Sequence, residues 1–250
     1  MDRFGGIDRL YGSGAVARLS RMQVAVVGLG GVGSWVAEAL ARSGVGRLVL
    51  IDADDLCVSN TNRQLPALQG QYGRGKAEAM AERCLAINPL AKVEPVASFL
   101  TPGNLDELLD RGHDLVVDAC DSLRTKVEAI AWCRRRKLPV ITVGSAGGRI
   151  DPTLVRIRDL SRTEHDAMLA LVRKKLRGGF QLPARPQSLL RGPGGVLAGK
   201  RPLPAGRWQR VRPASAARSG CRPQTGLRHR AGGGYPSHRH VCIRGGGQGA

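Results

Sequence analysis

Acidic residues are missing from the last third of this 250-residue chain. No Asp or Glu follows Asp166, whereas 17 of the 39 Lys and Arg residues lie between 167 and 250. Residues 1–166 carry the other 22 basic side chains and all 20 acidic ones, a balance of only +2. The tail alone would suit an RNA-binding protein without catalysis. The nearly neutral front part lacks the electrostatic footprint of a nucleic-acid-binding domain and has to be interpreted separately.

Paired cysteines and long apolar runs are also absent. The six cysteines include no C-x-x-C pair, so their spacing predicts neither a zinc site nor a disulfide framework. No stretch approaches the roughly 18 apolar residues of a membrane span, and the first residues lack the apolar core of a signal peptide. We therefore expect a soluble cytoplasmic protein.

Short valine-rich runs alternate with helical patterns up to about residue 178. Strands are predicted at 22–27, 47–52, 92–97, 114–118, 138–143 and 153–158, and helices at 34–43, 75–87, 104–110, 122–134 and 164–177. The apolar runs are continuous rather than alternating, which is typical of strands buried on both faces of a parallel sheet. The pattern predicts an α/β fold with a doubly wound, mostly parallel, Rossmann-like sheet.

A glycine loop, G-L-G-G-V-G, lies between the first predicted strand and the first of these helices. Its glycines are Gly28, Gly30, Gly31 and Gly33. Such a loop turns tightly, lets backbone approach phosphate, and points a helix N-terminus at the anion. Asp52 ends the next strand, 19 residues after the last glycine, where a ribose-binding acid is expected. These features predict a nucleotide site.

The segment after Asp52 favours ATP over NAD. It places polar side chains beside the ribose position, namely Asn60, Asn62, Arg63 and Gln64. A triphosphate under attack needs fixed positive charge and hydrogen-bond donors, whereas hydride transfer does not. Lys76, at the start of the next helix, adds a second cation or is simply a solvated lysine.

Asp121 is the predicted metal ligand. It follows the strand D-L-V-V-D, and the first and fourth strands are neighbours in the usual strand order, so Asp121 is expected beside the glycine loop. A carboxylate there is well placed for Mg²⁺ that also bridges phosphate oxygens. Asp118 is interpreted as structural, and Cys57 and Cys120 as packing residues rather than nucleophiles.

These motifs together resemble a known family. The combination of G-L-G-G-V-G-S, I-D-x-D, S-N-T-N-R-Q, Lys76 and D-A-C-D-S is similar to the ubiquitin-activating-enzyme-like family that includes MoeB, ThiF and HesA. Within it, R-F-G-G-I-D-R-L-Y-G, G-S-A-G-G-R-I-D-P-T and S-R-T-E-H-D resemble the branch of tRNA threonylcarbamoyladenosine dehydratases. The resemblance runs to about residue 178.

The resemblance implies adenylation of a carboxylate by ATP, with Mg²⁺. In the dehydratase branch this carboxylate is the threonyl group of the modified adenosine at tRNA position 37, and ring closure then expels AMP. Carried over by motif, the loop glycines, Asn60, Arg63 and Lys76 hold phosphates, Asp52 the ribose, and Asp121 the metal. The family also implies a homodimer and a link to a cysteine desulfurase system.

An N-terminal arginine of this family reaches the partner's ATP. Gly6 stands where many relatives have Arg, which leaves Arg9, taken as the catalytic candidate, or Arg3.

Other functions stay open. A rival in the same family adenylates the C-terminal glycine of a ubiquitin-like sulfur carrier, and the lack of C-x-x-C pairs weighs modestly against it. An NAD-dependent oxidoreductase would share the glycine loop and Asp52 but leaves Arg63, Lys76 and Asp121 unexplained. The basic runs at 134–137 and 173–177 either stabilise helix C-termini or contact tRNA.

Residues 179–250 read as a tail without a sustained helical or strand period. Residues 167–250 hold 16 of the 34 glycines and 8 of the 14 prolines. Two interpretations compete: a disordered basic tail, or a frameshift between about residues 180 and 192. A frameshift would spare the ATP residues in 1–178 but remove part of the family's folded segment and put activity in doubt.

Overall fold

Five parallel strands form the centre of the protein in a computed structural model, which describes residues 3–148, 150–152 and 155–180. The strands are β1 (Gln23–Val27), β2 (Arg47–Ile51), β3 (Lys92–Val96), β4 (Leu115–Asp118) and β5 (Val140–Thr142). The helices are α1 (Gly5–Tyr11), α2 (Ala15–Leu19), α3 (Gly33–Arg42), α4 (Lys76–Ile87), α5 (Leu105–Leu109), α6 (Leu123–Arg135) and α7 (Ala167–Gly179). Short 3-10 helices occupy Val58–Asn60 and Leu160–Arg162.

The strand order is β3-β2-β1-β4-β5, and every neighbouring pair is parallel. The chain builds outward from β1 to β3, then returns to the other side of β1 with β4. The connection after β1 leads to β2 on one side of it, whereas the connection after β3 crosses to β4 on the other side. A switch point therefore lies between β1 and β4. The predicted doubly wound sheet is confirmed, and β1 and β4 are neighbours as expected.

Both faces of the sheet are covered by helices, which explains the continuous apolar runs. On one face, Val24, Val26 and Leu50 pack against residues of α3 and α4, including Met80. On the other face, Ala25, Val27, Val49 and Val116 pack against α5 and α6. The helix α7 packs outside α6 through a third apolar cluster that includes Ile130, Val172 and Leu176.

The structure differs from the sequence prediction at one strand and at two short helices. The predicted strand at 153–158 is wrong for its described residues, since 155–158 have no regular structure and Val155 and Ile157 are exposed. A short apolar segment alone does not make a strand when no neighbour offers hydrogen bonds, and β5 is the last strand of the described sheet. The short helices α1 and α2 were not predicted.

Residues 181–250 lie outside the part of the chain that the structure describes. The expectations of disorder or a frameshift at 179–250 concern residues that, apart from 179 and 180, lie outside the described ones. Within the described part of the chain, no helix is long and apolar enough to cross a membrane.

Candidate active site

Three strands end close together at the carboxyl edge of the sheet. β1 runs into the glycine loop, β2 into Asp52, and β4 into the turn that holds Cys120 and Asp121. The backbone confirms this proximity, because the N–H of Gly28 donates to the carbonyl of Ile51 at 2.9 Å. Parallel strands bring their carboxyl ends to one edge, so residues far apart in sequence meet here.

The glycine loop has almost no room for side chains at two of its positions. Gly28 has a φ of +83°, and a Cβ on it would lie 2.9 Å from the Cα of Cys120. A Cβ on Gly33 would clash with the carbonyl oxygen of Gly28. These glycines let the β1 loop, the start of α3 and the β4 turn pack together. At Gly31 the neighbour is the flexible stem of Arg63, 3.1 Å from an added Cβ.

Asp52 ties the second strand to the glycine loop. One carboxylate oxygen accepts from the backbone N–H of Leu29 at 2.6 Å, and the other accepts from the N–H of Asp54 at 2.9 Å. A carboxylate offers about four lone-pair sites, so both oxygens retain acceptor capacity for ribose hydroxyls. Asp52 thus lies where the sequence places it and also orders the loop.

The polar segment after Asp52 forms the opposite wall of the loop. Asn60 is buried, and its side-chain oxygen accepts from the N–H of Cys57 at 3.0 Å. The Arg63 guanidinium is exposed and donates to the carbonyl of Ser59 and to Asn62 Oδ1, each at 3.0 Å. Asn60 therefore shapes the turn, and the aliphatic stem of Arg63 lies beside Gly31.

Gln64 has an unsatisfied buried atom beside this loop. Its side-chain nitrogen lies 3.9 Å from a Cβ built on Gly30. Its Oε1 is the buried side-chain oxygen that lacks a hydrogen-bond partner among the described residues. An orphaned acceptor is costly in a dry interior. The glycine cradle and this acceptor together fit a bound ligand with polar groups. Sequence reasoning placed Gln64 in the polar segment but gave it no role.

Lys76 is paired with a carboxylate that sequence reasoning missed. It starts α4 and is buried, and its Nζ lies 2.6 Å from Oδ2 of Asp54. The Lys76 N–H also donates to the carbonyl of Asp54 at 2.9 Å. The I-D-x-D spacing, which places a second acid two residues after Asp52, is the signal that could have found Asp54.

Asp121 and Asp118 have opposite environments. Asp121 is exposed at the end of β4 beside the switch point. Asp118 is buried and accepts from Lys126 Nζ at 2.8 Å and from Thr142 Oγ1 at 2.7 Å. These contacts agree with the structural interpretation of Asp118. Lys126, fully buried on α6, is a further residue that sequence reasoning missed.

The described residues bring together no group of three or more His, Cys, Asp or Glu side chains that could hold a metal ion. Asp121, the carboxylate that the sequence assigns to a magnesium ion, is exposed at the edge of the sheet. Mg²⁺ is commonly bound through one or two carboxylates, with phosphate oxygens and waters completing its shell, so the residues present fit the group.

The two cysteines near the site differ in exposure. Burial, and next the charge of Asp118, raise the pKa of the Cys120 thiol to about 12, which keeps it a thiol at neutral pH. Its Sγ donates to Asp118 Oδ1 at 2.9 Å. Cys57 is exposed, so the expectation that it packs is wrong: it lies in the surface turn before Asn60.

The N-terminal arginines do not approach the loop of their own chain. Arg3 contacts the carbonyl of Ile87 at 3.5 Å, at the far end of α4 from Lys76. Arg9 is exposed on α1, which packs on α2. The structure thus does not bring Arg9 together with Asp121.

The sequence pattern of the ThiF family matches residues 7–171. The chain belongs to the ThiF family. A tRNA threonylcarbamoyladenosine dehydratase of Haemophilus influenzae is 51% identical over 185 residues, which cover 74% of this chain and 71% of the relative. The Escherichia coli molybdopterin-synthase adenylyltransferase is 34% identical over 50% of this chain and 49% of its own length.

A solved structure of the E. coli dehydratase TcdA in complex with ATP is also similar to this ThiF-family chain. It has a TM-score of 0.72 and 48% identity over 74% of this chain and 76% of its own. The complex of the same enzyme with AMP gives the same values. The E. coli dehydratase thus has the same fold as this chain over 74% of its length.

Proposed function

We propose that this chain is an ATP-dependent tRNA threonylcarbamoyladenosine dehydratase. The observation that carries the proposal is the meeting of the glycine loop, Asp52 and the Asp121 turn at one sheet edge, with Gly28 packed against Cys120. The solved complexes of the similar E. coli enzyme with ATP and with AMP support adenylation at such a site.

The nucleotide binds with its phosphates over the glycine loop and the N-terminus of α3. Backbone N–H groups and the helix dipole favour the negative charge there. Asp52 accepts from the ribose hydroxyls. Arg63 and Lys76 offset the charge of the phosphates, while Asp54 orients the Lys76 ammonium. Asn60 fixes the turn that presents Arg63.

The reaction starts when an oxygen of the threonyl carboxylate attacks the α-phosphorus and pyrophosphate leaves. A nucleophile within the same modified base then attacks the acyl carbon of the mixed anhydride and displaces AMP. The oxygen lost from the carboxylate departs with AMP, so the base loses the elements of water. Arg63 and Lys76 stabilise the charge that develops on the phosphates.

Asp121 would hold a magnesium ion, whose positive charge would offset the negative charge of the pyrophosphate leaving group. The exposure of Asp121 leaves room for waters and phosphates around such an ion.

The enzyme acts as a homodimer in this proposal, with Arg9 reaching the partner's nucleotide. Leu10 and Tyr11 follow Arg9 on α1 and are 60% and 65% exposed. Burial of these apolar side chains against a second copy would contribute favourable free energy. ATP and tRNA as substrates imply a cytoplasmic protein. A cysteine desulfurase partner rests on the family resemblance alone, and co-purification with tagged protein tests it.

Adenylation of a sulfur carrier is the second candidate, because the molybdopterin-synthase adenylyltransferase also matches. ATP–pyrophosphate exchange separates the two. Exchange is expected with threonylcarbamoyl-modified tRNA and not with a carrier peptide that ends in Gly-Gly or with ATP alone. Exchange with the peptide alone would refute the dehydratase. Binding of NADH without ATP would refute adenylation altogether.

A further inference from the structure

The helices α6 and α7 run side by side in the same direction, away from the candidate active site. α6 begins just after Asp121, and α7 begins where Asp166 accepts from the N–H of Ser145, beyond the carboxyl end of β5. Their far ends also meet, since the guanidinium carbon of Arg135 lies 5.7 Å from the centroid of the Phe180 ring. Each helix has 13 residues, so both span about 20 Å.

A basic surface lies where these two helices end. It consists of six exposed or half-exposed side chains, Arg134, Arg135, Lys137, Lys174, Lys175 and Arg177. The described residues form no ion pair with any of the six. The neighbouring Arg136 differs, because Asp106 and Asp110 both pair with it.

The number of cations exceeds what the helix ends require. A helix C-terminus carries the equivalent of about half a negative charge, which one or two cations offset. Six cations on two helix ends leave a net positive surface, and neither 129–140 nor 167–180 contains an acidic residue. The rest of the described protein is close to neutral, so this surface stands out from it.

We propose that this basic surface binds the phosphate backbone of the RNA stem next to the reacting nucleotide. The inference rests on the proposed function, which brings one nucleotide of a tRNA to the carboxyl edge. A double-helical stem extending from that nucleotide along α6 and α7 would present its phosphates to the six cations about 20 Å away. Proteins contact such stems mainly through phosphates and 2′-hydroxyls, for which Arg and Lys are suited.

Two triple variants distinguish the contribution of the basic surface to RNA binding from the contribution of the total charge of the protein. The test variant replaces Lys174, Lys175 and Arg177 by Ala. The control replaces Arg18, Arg21 and Lys92 by Ala, which removes the same charge from exposed positions on or beside α2 and at the start of β3. Residues 181–250, with 13 further basic residues, are unchanged in both full-length proteins. Loss of each phosphate contact lowers the salt dependence of log K by about 0.7 to 0.9.

We expect the test variant to bind modified tRNA roughly tenfold more weakly than the control, with a smaller salt slope. ATP affinity should be the same in both. Equal losses in both variants would assign binding to overall charge and overturn the inference. No loss in either variant, or no tRNA binding by the wild type, would overturn it as well.

Lysine acetylation with and without tRNA gives a site-resolved readout by mass spectrometry. Lys137, Lys174 and Lys175 should be protected several-fold, and Lys92 should not. Protection of these lysines by phosphatidylserine vesicles but not by tRNA would refute an RNA surface. Protection by tRNA without ATP-dependent dehydration would retain the surface and refute the proposed function. If both variants dehydrate the tRNA with the same KM for it, the proposed function is retained and the RNA surface is refuted.

Discussion

At the scale of single residues, Gly28 shows why the glycine loop tolerates so little change. Its positive φ and the backbone of Cys120 both exclude a side chain. Gly28→Ala should lose ATP binding and about 1–3 kcal/mol of unfolding free energy, because the loop must move away from the Asp121 turn. Isothermal calorimetry and urea unfolding measure the two effects.

The matched control is Gly70→Ala. Gly70 has a φ of +82°, almost the same as Gly28, but nothing lies within 4 Å of an added Cβ. This variant carries the backbone strain without the clash and should bind ATP normally. Equal loss of ATP binding in both variants would contradict the packing argument.

Substitution of Asp121 tests the proposed chemistry without a large change in the free energy of unfolding. Asp121→Asn should abolish ATP–pyrophosphate exchange yet change the unfolding free energy by less than about 0.5 kcal/mol, since the side chain is exposed. Glu107→Gln, an exposed carboxylate on α5, should leave exchange unchanged. Wild-type exchange in the Asp121 variant would refute its metal role.

Cysteine reactivity follows burial. Desolvation raises the pKa of Cys84, Cys120 and Cys133 to about 12, so below that pH these groups remain unreactive thiols. Cys57 is exposed. At pH 8, iodoacetamide followed by peptide mass spectrometry should label Cys57 much faster than the other three in the folded protein. Equal labelling rates at Cys57 and Cys120 would contradict the described packing of the β4 turn.

At the scale of secondary-structure elements, a buried ion pair joins β4, α6 and β5. Lys126 and Asp118 are 0% and 1% exposed, and Thr142 completes the network. Removing one partner leaves an unpaired charge, so Lys126→Met should cost about 3–5 kcal/mol of unfolding free energy. Asp118→Asn combined with Lys126→Met should recover most of this loss in urea unfolding. Additive losses in the double variant would show that the two side chains do not act as a pair.

The strands and longer helices could be predicted because each has a local signal. Continuous apolar runs ended by glycine or a polar residue marked β1 and β2, and helical periodicity marked α4 and α6. The ion pair of Lys126 with Asp118 could not be predicted in this way, since the two side chains lie on different elements. The I-D-x-D spacing marks Asp54 but does not show that Lys76 is its partner. The predicted strand at 153–158 failed for the same reason: pairing depends on a neighbour that the local pattern does not show.

At the scale of the whole molecule, the proposed dimer predicts complementation between inactive chains. Arg9→Ala and Asp121→Ala should each be inactive alone. In a mixed dimer, one site would combine Asp121 of one chain with Arg9 of the other, so an equal mixture should regain about a quarter of wild-type activity. Light scattering checks the dimer. Absence of recovery in mixed dimers of proven composition would contradict Arg9 acting across the interface.

The proposed enzyme removes water from one modified base of tRNA at the expense of ATP. The most direct measurement incubates the full-length protein with threonylcarbamoyl-modified tRNA, Mg²⁺ and ATP, and analyses the digested nucleosides by mass spectrometry. We expect a modified nucleoside lighter by one water, formed with equimolar AMP and only when ATP is present. An unchanged nucleoside, with pyrophosphate released only when a sulfur-carrier peptide is added, would contradict this prediction.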